Sequence, residues 1–91
     1  MTLLQFDDDP CDEFERLRTD DIALARAADR VFDDLEADPR KPYLTRIYLR
    51  PRGIYKVVVP TAAGYSDHMI LWDLDDDVVV IRYLGPDFVN A

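Results

Sequence analysis

The sequence predicts an α+β fold, with two N-terminal helices packed on an antiparallel sheet of three to four strands. Three observations carry this expectation. Between Arg46 and Gly85 the apolar runs (RIYLRPRGIYKVVV, HMILWDL and DDDVVVIRYLG) are rich in Val, Ile, Tyr and Trp and are separated by turn residues, as strands are. Upstream, Leu24, Ala28, Val31 and Leu35 recur at helical spacing, and Ala25 and Phe32 widen the stripe. Finally, 91 residues, 48% of them hydrophobic and 33% charged, suffice for one domain around one core. The expected domain spans 1–91, with a helical cover over 9–38 and an antiparallel meander over 43–85.

Thr2 to Phe6 offers either a short edge strand or an apolar arm, ended by Asp7, Asp8 and Asp9. Asp9-Pro10 reads as an N-cap followed by proline at the first helical position, where its missing N–H costs nothing. Asp12 and Glu13 suit the helix dipole, Phe14 and Leu17 form the only apolar face, and the helix is expected to stop near Arg18. A longer helix should run from Asp21 to Ala37, capped by Thr19 or Asp20 and ended by Asp38-Pro39. After a linker from Pro39 to Pro42, strands are expected at Leu44–Arg50, Ile54–Val59, His68–Leu74 and Val78–Leu84. Pro51-Arg52-Gly53, the loop Thr61–Asp67 and the turn Asp75-Asp76-Asp77 join them, and Gly85-Pro86 ends the last.

Alternation assigns each strand two faces. Tyr55, Val57 and Val59, then Ile70, Trp72 and Leu74, then Val79, Ile81 and Tyr83 form an apolar and aromatic face that should hold the helices. The opposite face mixes Lys56, Asp73 and Arg82 with Ile54, Val58, Leu71 and Val80. These four apolar residues are too costly to leave in water and are expected to bind a partner or another segment.

Charge divides the chain. The formal net charge is −8, yet residues 1–38 carry −9 and residues 39–91 carry +1. Arg40, Lys41, Arg46, Arg50, Arg52 and Lys56 fall in one stretch without an acid, interleaved with Tyr43, Tyr48 and Tyr55. Cations with stacking rings suit single-stranded nucleic acid, and Arg46, Arg50, Arg52 and Lys56 are the candidate contacts. The same stripe also suits the chain's own acidic helices or an acidic partner. No apolar run nears the roughly 20 residues that span a bilayer, and the start lacks the pattern of a signal peptide. The lone Cys11 cannot form an internal disulfide, so a cytoplasmic setting is expected. The aspartate runs lack the spacing of a calcium loop, so no metal or other cofactor is expected.

Gly53-Ile54-Tyr55-Lys56-Val57-Val58-Val59, the hairpin from Met69 to Gly85 with its acidic turn, and the Asp21–Pro39 helix together resemble the RelE/ParE superfamily of small bacterial toxins. The likeness covers that helix and roughly the second half of the chain. It implies a toxin component of a type II toxin–antitoxin system, active or degenerate, bound by an antitoxin. It also implies a target, RNA on the ribosome or gyrase. If the toxin is active as a ribosome-dependent mRNA endonuclease, Lys56, Arg82 and Tyr83 match the family's basic and aromatic site positions. Where the family often ends in His and Arg after the last strand, this chain has Pro86-Asp87. Metal-independent cleavage through the 2′-OH needs a proton acceptor, a proton donor and cations for the charged phosphorane. The three residues can supply the donor and the cations, and His68 titrates in the useful range when unperturbed. Two other classes fit the composition: a non-catalytic acidic module that mimics nucleic acid, as in anti-defence proteins, and a homodimer that buries the mixed face.

Overall fold

In the computed structural model, residues 2–50 and 52–88 are described; Pro51, placed above in a turn, and the tail residues 89–91 lie outside them. The elements run β1 (Leu3–Phe6), α1 (Asp8–Asp20), α2 (Ile22–Ala37), α3 (Pro42–Thr45), β2 (Ile47–Leu49), β3 (Ile54–Thr61), β4 (Gly64–Asp75) and β5 (Val78–Pro86). The sheet has five strands in the order β1-β5-β4-β3-β2. It is larger than the expected meander, and it is mixed: β1 pairs parallel with β5, while the other neighbours are antiparallel. Leu4 and Phe6 of β1 pack against the core, which explains why an edge strand forms from so short an apolar run.

Both long helices cover one face. Proline at the third helical position of α1 is tolerated because N–H groups of the first turn have no intrahelical acceptor. Asp7, not Asp9, therefore precedes the helix. The helix also continues past Arg18 to Asp20, where Arg16 pairs with Glu13 at 2.6 Å and with Asp20 at 3.2 Å. Asp21 interrupts the two helices and caps α2, its carboxylate accepting from the Leu24 amide at 3.2 Å. From α2, Ala25, Ala28, Val31, Phe32 and Leu35 enter the core as the periodicity requires, joined by Ala27. Phe32 receives the rings of Phe6 and Phe14 edge-on, with centroids at 4.9 and 5.3 Å.

The strand expected from Leu44 begins only at Ile47, and residues 42–45 instead form one helical turn. Pro42 sets its first φ, and Leu44 is fully buried beneath it. The Leu44 carbonyl accepts from the Trp72 indole at 3.3 Å, so the turn satisfies a polar group that burial of Trp72 would otherwise strand. The loop expected at 61–67 is the end of a hairpin. Pro60 has no N–H to give, so the β3–β4 ladder shifts register there, and the Ser66 hydroxyl donates to the Val59 carbonyl at 2.9 Å while accepting from the His68 amide. Pairing then resumes at Pro60↔Tyr65 and Thr61↔Gly64.

A second irregularity decides the face of the last strand. Leu71 pairs with Tyr83 and Trp72 with Ile81, which leaves Arg82 as an extra residue on β5. Such a bulge reverses the alternation beyond it. Leu84 therefore joins the core and Tyr83 leaves it, against the expectation that Tyr83 sits with Val79 and Ile81 under the helices.

Candidate functional site on the helix-free face

The bulge gathers the three candidate catalytic side chains. Lys56, Leu71 and Tyr83 are register partners across three neighbouring strands, so the backbones bearing Lys56 and Tyr83 lie about 10 Å apart on one face. Arg82 shares it. Its guanidinium reaches Asp73 of β4 at 3.2 Å and Asp7 beyond β1 at 3.5 Å, and these carboxylates hold its pKa above the usual value.

Lys56 is only 3% exposed and its ammonium meets the Asp87 carboxylate at 2.9 Å. A charge that deep is tolerated only where opposite charge accompanies it. Asp87 is held in turn by its amide, which donates to the Asp67 carbonyl at 2.8 Å. The Tyr83 ring lies over Gly85, where a Cβ would come within 2.6 Å of its hydroxyl oxygen. That hydroxyl donates to the Pro86 carbonyl at 2.8 Å, and the ring meets Phe88 edge-on at 5.2 Å. Burial first, then the charges of Glu13 and Asp87, push the Tyr83 phenol above its usual pKa, so at neutral pH it is a proton donor. Glu13 is held below its usual pKa chiefly by Arg16, with His68 close enough to contribute. Glu13, His68, Tyr83 and Asp87 thus share one electrostatic neighbourhood where β4 begins and β5 ends.

Of the candidate nucleic-acid contacts, Arg46 and Lys56 line one cleft of about 330 Å³ together with Tyr43 and Tyr65. Tyr65 was hidden by its placement in a supposed loop, and it is 72% exposed. Arg50 and Arg52 lie outside this cleft, at the β2–β3 turn, with Arg50 5.8 Å from the centroid of the Tyr48 ring. Among the described residues none of Arg46, Arg50 and Arg52 forms a salt bridge, whereas Lys41 pairs with Asp34 on α2 at 2.9 Å. Tyr55 stacks on Trp72 and Tyr48 meets Tyr55 at a tilt, so both belong with the helix-covered face. The four candidate partner contacts divide: Ile54 and Val58 stay partly exposed, while Leu71 and Val80 are 4% and 3% exposed. No cluster of three or more His, Cys, Asp or Glu able to hold a metal occurs among the described residues.

This arrangement has solved counterparts. The structure superposes on a chain of the YoeB dimer from Staphylococcus aureus with a TM-score of 0.72 and 12% identity, over 96% of this chain and 98% of the other. A chain of the YoeB–YefM complex from the same organism gives 0.70 and 12%, over 97% and 99%. The chain therefore shares the fold of these two structures. Comparison of the sequence with family models and with curated proteins gives no match. Within this fold the helix-covered face is an apolar core, and Lys56, Arg82 and Tyr83 are on the other, whereas His68 shares the parity of Ile70 and Trp72 and lines a cleft with Leu24, Arg26 and Ala27 of α2. No helix among the described residues is long and apolar enough to cross a membrane.

Proposed function

We propose that the chain is the toxin component of a toxin–antitoxin pair, with the helix-free face as its working surface and RNA as its target. The observation that carries this reading is the β5 bulge, which brings Tyr83 onto the face that Lys56 and Arg82 share. There, Lys56 and Tyr83 stand about 10 Å apart at the backbone, with Arg82 beside Tyr83 in sequence, a layout suited to a phosphodiester. In a cleavage step the 2′-oxygen would attack phosphorus and give its proton to water, Lys56 and Arg82 would stabilise the phosphorane, and the neutral Tyr83 would protonate the leaving 5′-oxygen. The likeness to YoeB over nearly the whole chain, one match coming from a complex with YefM, supports a protein partner for this chain as well.

A second reading, a degenerate toxin kept for binding, is favoured by one observation. Both cations already face acids of this chain, Lys56 with Asp87 and Arg82 with Asp73 and Asp7. Inducible expression in bacteria tests the first reading. It predicts growth arrest by the chain alone and relief when the product of the adjacent reading frame is co-expressed. Normal growth together with no complex between the two products would contradict it.

A further inference from the structure

We infer that Lys56 is an anion subsite for the backbone of single-stranded RNA and that Asp87-Phe88 is its internal competitor, a tethered plug that RNA must displace. The inference rests on the reading above for the choice of RNA. The Asp87 carboxylate meets a nearly inaccessible ammonium at 2.9 Å, the geometry a phosphate oxygen would adopt. Phe88 stands edge-on to Tyr83 at 5.2 Å and takes up ring surface on which an unstacked base would stack. One acidic and one aromatic residue in succession thus reproduce, with chain atoms, the phosphate and base of a nucleotide.

The plug is built to leave. Phe88 is 61% exposed despite its ring contact, and the Asp87 side chain is 26% exposed, so little apolar area holds the segment down. The groups it rests on are fixed, since Lys56 lies mid-strand and Tyr83 is anchored over Gly85. Beside Lys56, the cleft lined by Tyr43, Arg46 and Tyr65 can take the next nucleotides, with a second cation and two rings. A competitor in the same chain acts at a high effective concentration. Binding measured on the whole protein is weakened by the fraction of molecules in which the site is open.

The test is fluorescence anisotropy of a labelled single-stranded RNA dodecamer with the full-length chain at fixed salt. Wild type is compared with Phe88→Ala, with Asp87→Asn/Phe88→Ala, and with the latter carrying Lys56→Met, all checked for folding by circular dichroism. Phe88→Ala loosens the plug without removing the carboxylate that faces Lys56, which guards against a variant that merely unfolds. The expected result is binding tighter by about tenfold in the double variant, corresponding to a site open in roughly one molecule in ten. A smaller gain is expected in Phe88→Ala, and the gain should vanish with Lys56→Met. Single-stranded DNA of the same sequence should gain as much if only the phosphate is read, and less if the 2′-OH is read too. Equal RNA affinity in wild type and both plug variants would overturn the plug, leaving the toxin reading to the growth experiment. A tenfold gain from a protein that neither arrests growth nor binds the product of the adjacent reading frame would leave the plug standing and overturn the toxin reading.

Discussion

At the middle of β4 the two faces of the sheet bury their side chains almost equally and for different purposes. On β4, Ile70 and Trp72 point to the helices and Met69 and Leu71 to the opposite face, and all four are at most 4% exposed. Ile70 and Trp72 belong to one continuous apolar cluster with α2, β3 and β5. Met69 and Leu71 do not. Their face is occupied by Lys56, Tyr83 and a C-terminal segment held by the Lys56–Asp87 ion pair, the Tyr83–Phe88 ring contact and hydrogen bonds to the Asp67 and Pro86 carbonyls. Burial alone therefore does not distinguish a core from a site. What covers the buried residue does: helices welded on by apolar area, or a thin polar segment that can be exchanged for a ligand.

Substitutions that separate the two covers should fall in a definite order of size. Trp72→Ala removes the largest fully buried side chain and strands the Leu44 carbonyl, and should cost about 3–5 kcal/mol in urea unfolding. Leu71→Ala, one residue away on the thinly covered face, should cost only about 2 kcal/mol, near the low end for buried leucines, because the tail can settle into the space. An equal cost at both positions would break the distinction.

The Lys56–Asp87 pair should respond asymmetrically. Asp87→Asn withdraws a carboxylate from a buried ammonium and should cost about 1–3 kcal/mol. Lys56→Met leaves its former partner at the surface, where water can solvate it, and should be close to neutral in the same denaturation assay. Matching losses would mean that the tail, not the strand, bears the strain of separation.

On the helix-covered side the clasp between α2 and α3 is polar: Asp34 accepts from the Tyr43 hydroxyl and from the Lys41 ammonium. Those bonds, Tyr43 first, hold the Asp34 carboxyl below its usual pKa of 3.8. Because the folded pKa is depressed, the stabilisation is complete above the unfolded value and is lost as pH falls through the folded one. Asp34→Ala should cost about 1 kcal/mol at pH 7, discounted because the ion pair is more than a third open to solvent. Thermal melts of variant and wild type should converge below pH 3.8. The smallest effect is expected at Asp76, the one non-glycine described with a positive φ, at 55°. Asp76→Gly should stabilise by about 0.5–1 kcal/mol without altering either face.

Much of this was legible in the residues. The α2 stripe and the Val-rich alternation of β3 to β5 each repeat one period long enough to be read, and both faces of β3 came out as expected. What was missed has local causes. Residues 42–45 carry strand-forming Tyr, Leu and Thr, and only their packing beneath Trp72 makes them a helical turn. Pro60 reads as a strand end until the Ser66 hydroxyl is seen to satisfy the Val59 carbonyl across the register shift. The bulge at Arg82 leaves no mark in composition, so simple alternation sends Tyr83 to the wrong face and hides its meeting with Lys56. Gly85 was the available clue: a glycine two residues on from a tyrosine, on the same face, is what lets that ring lie flat.

The central claim is that activity belongs to the helix-free face and only stability to the other. The measurement that tests it most directly is growth after induction of Lys56→Ala/Arg82→Ala beside Ile70→Val. The two are matched for folded population by their urea midpoints and expressed to equal levels. The account predicts arrest by wild type and Ile70→Val and normal growth with the double variant. Arrest by the folded double variant, equal to that of wild type, would contradict it.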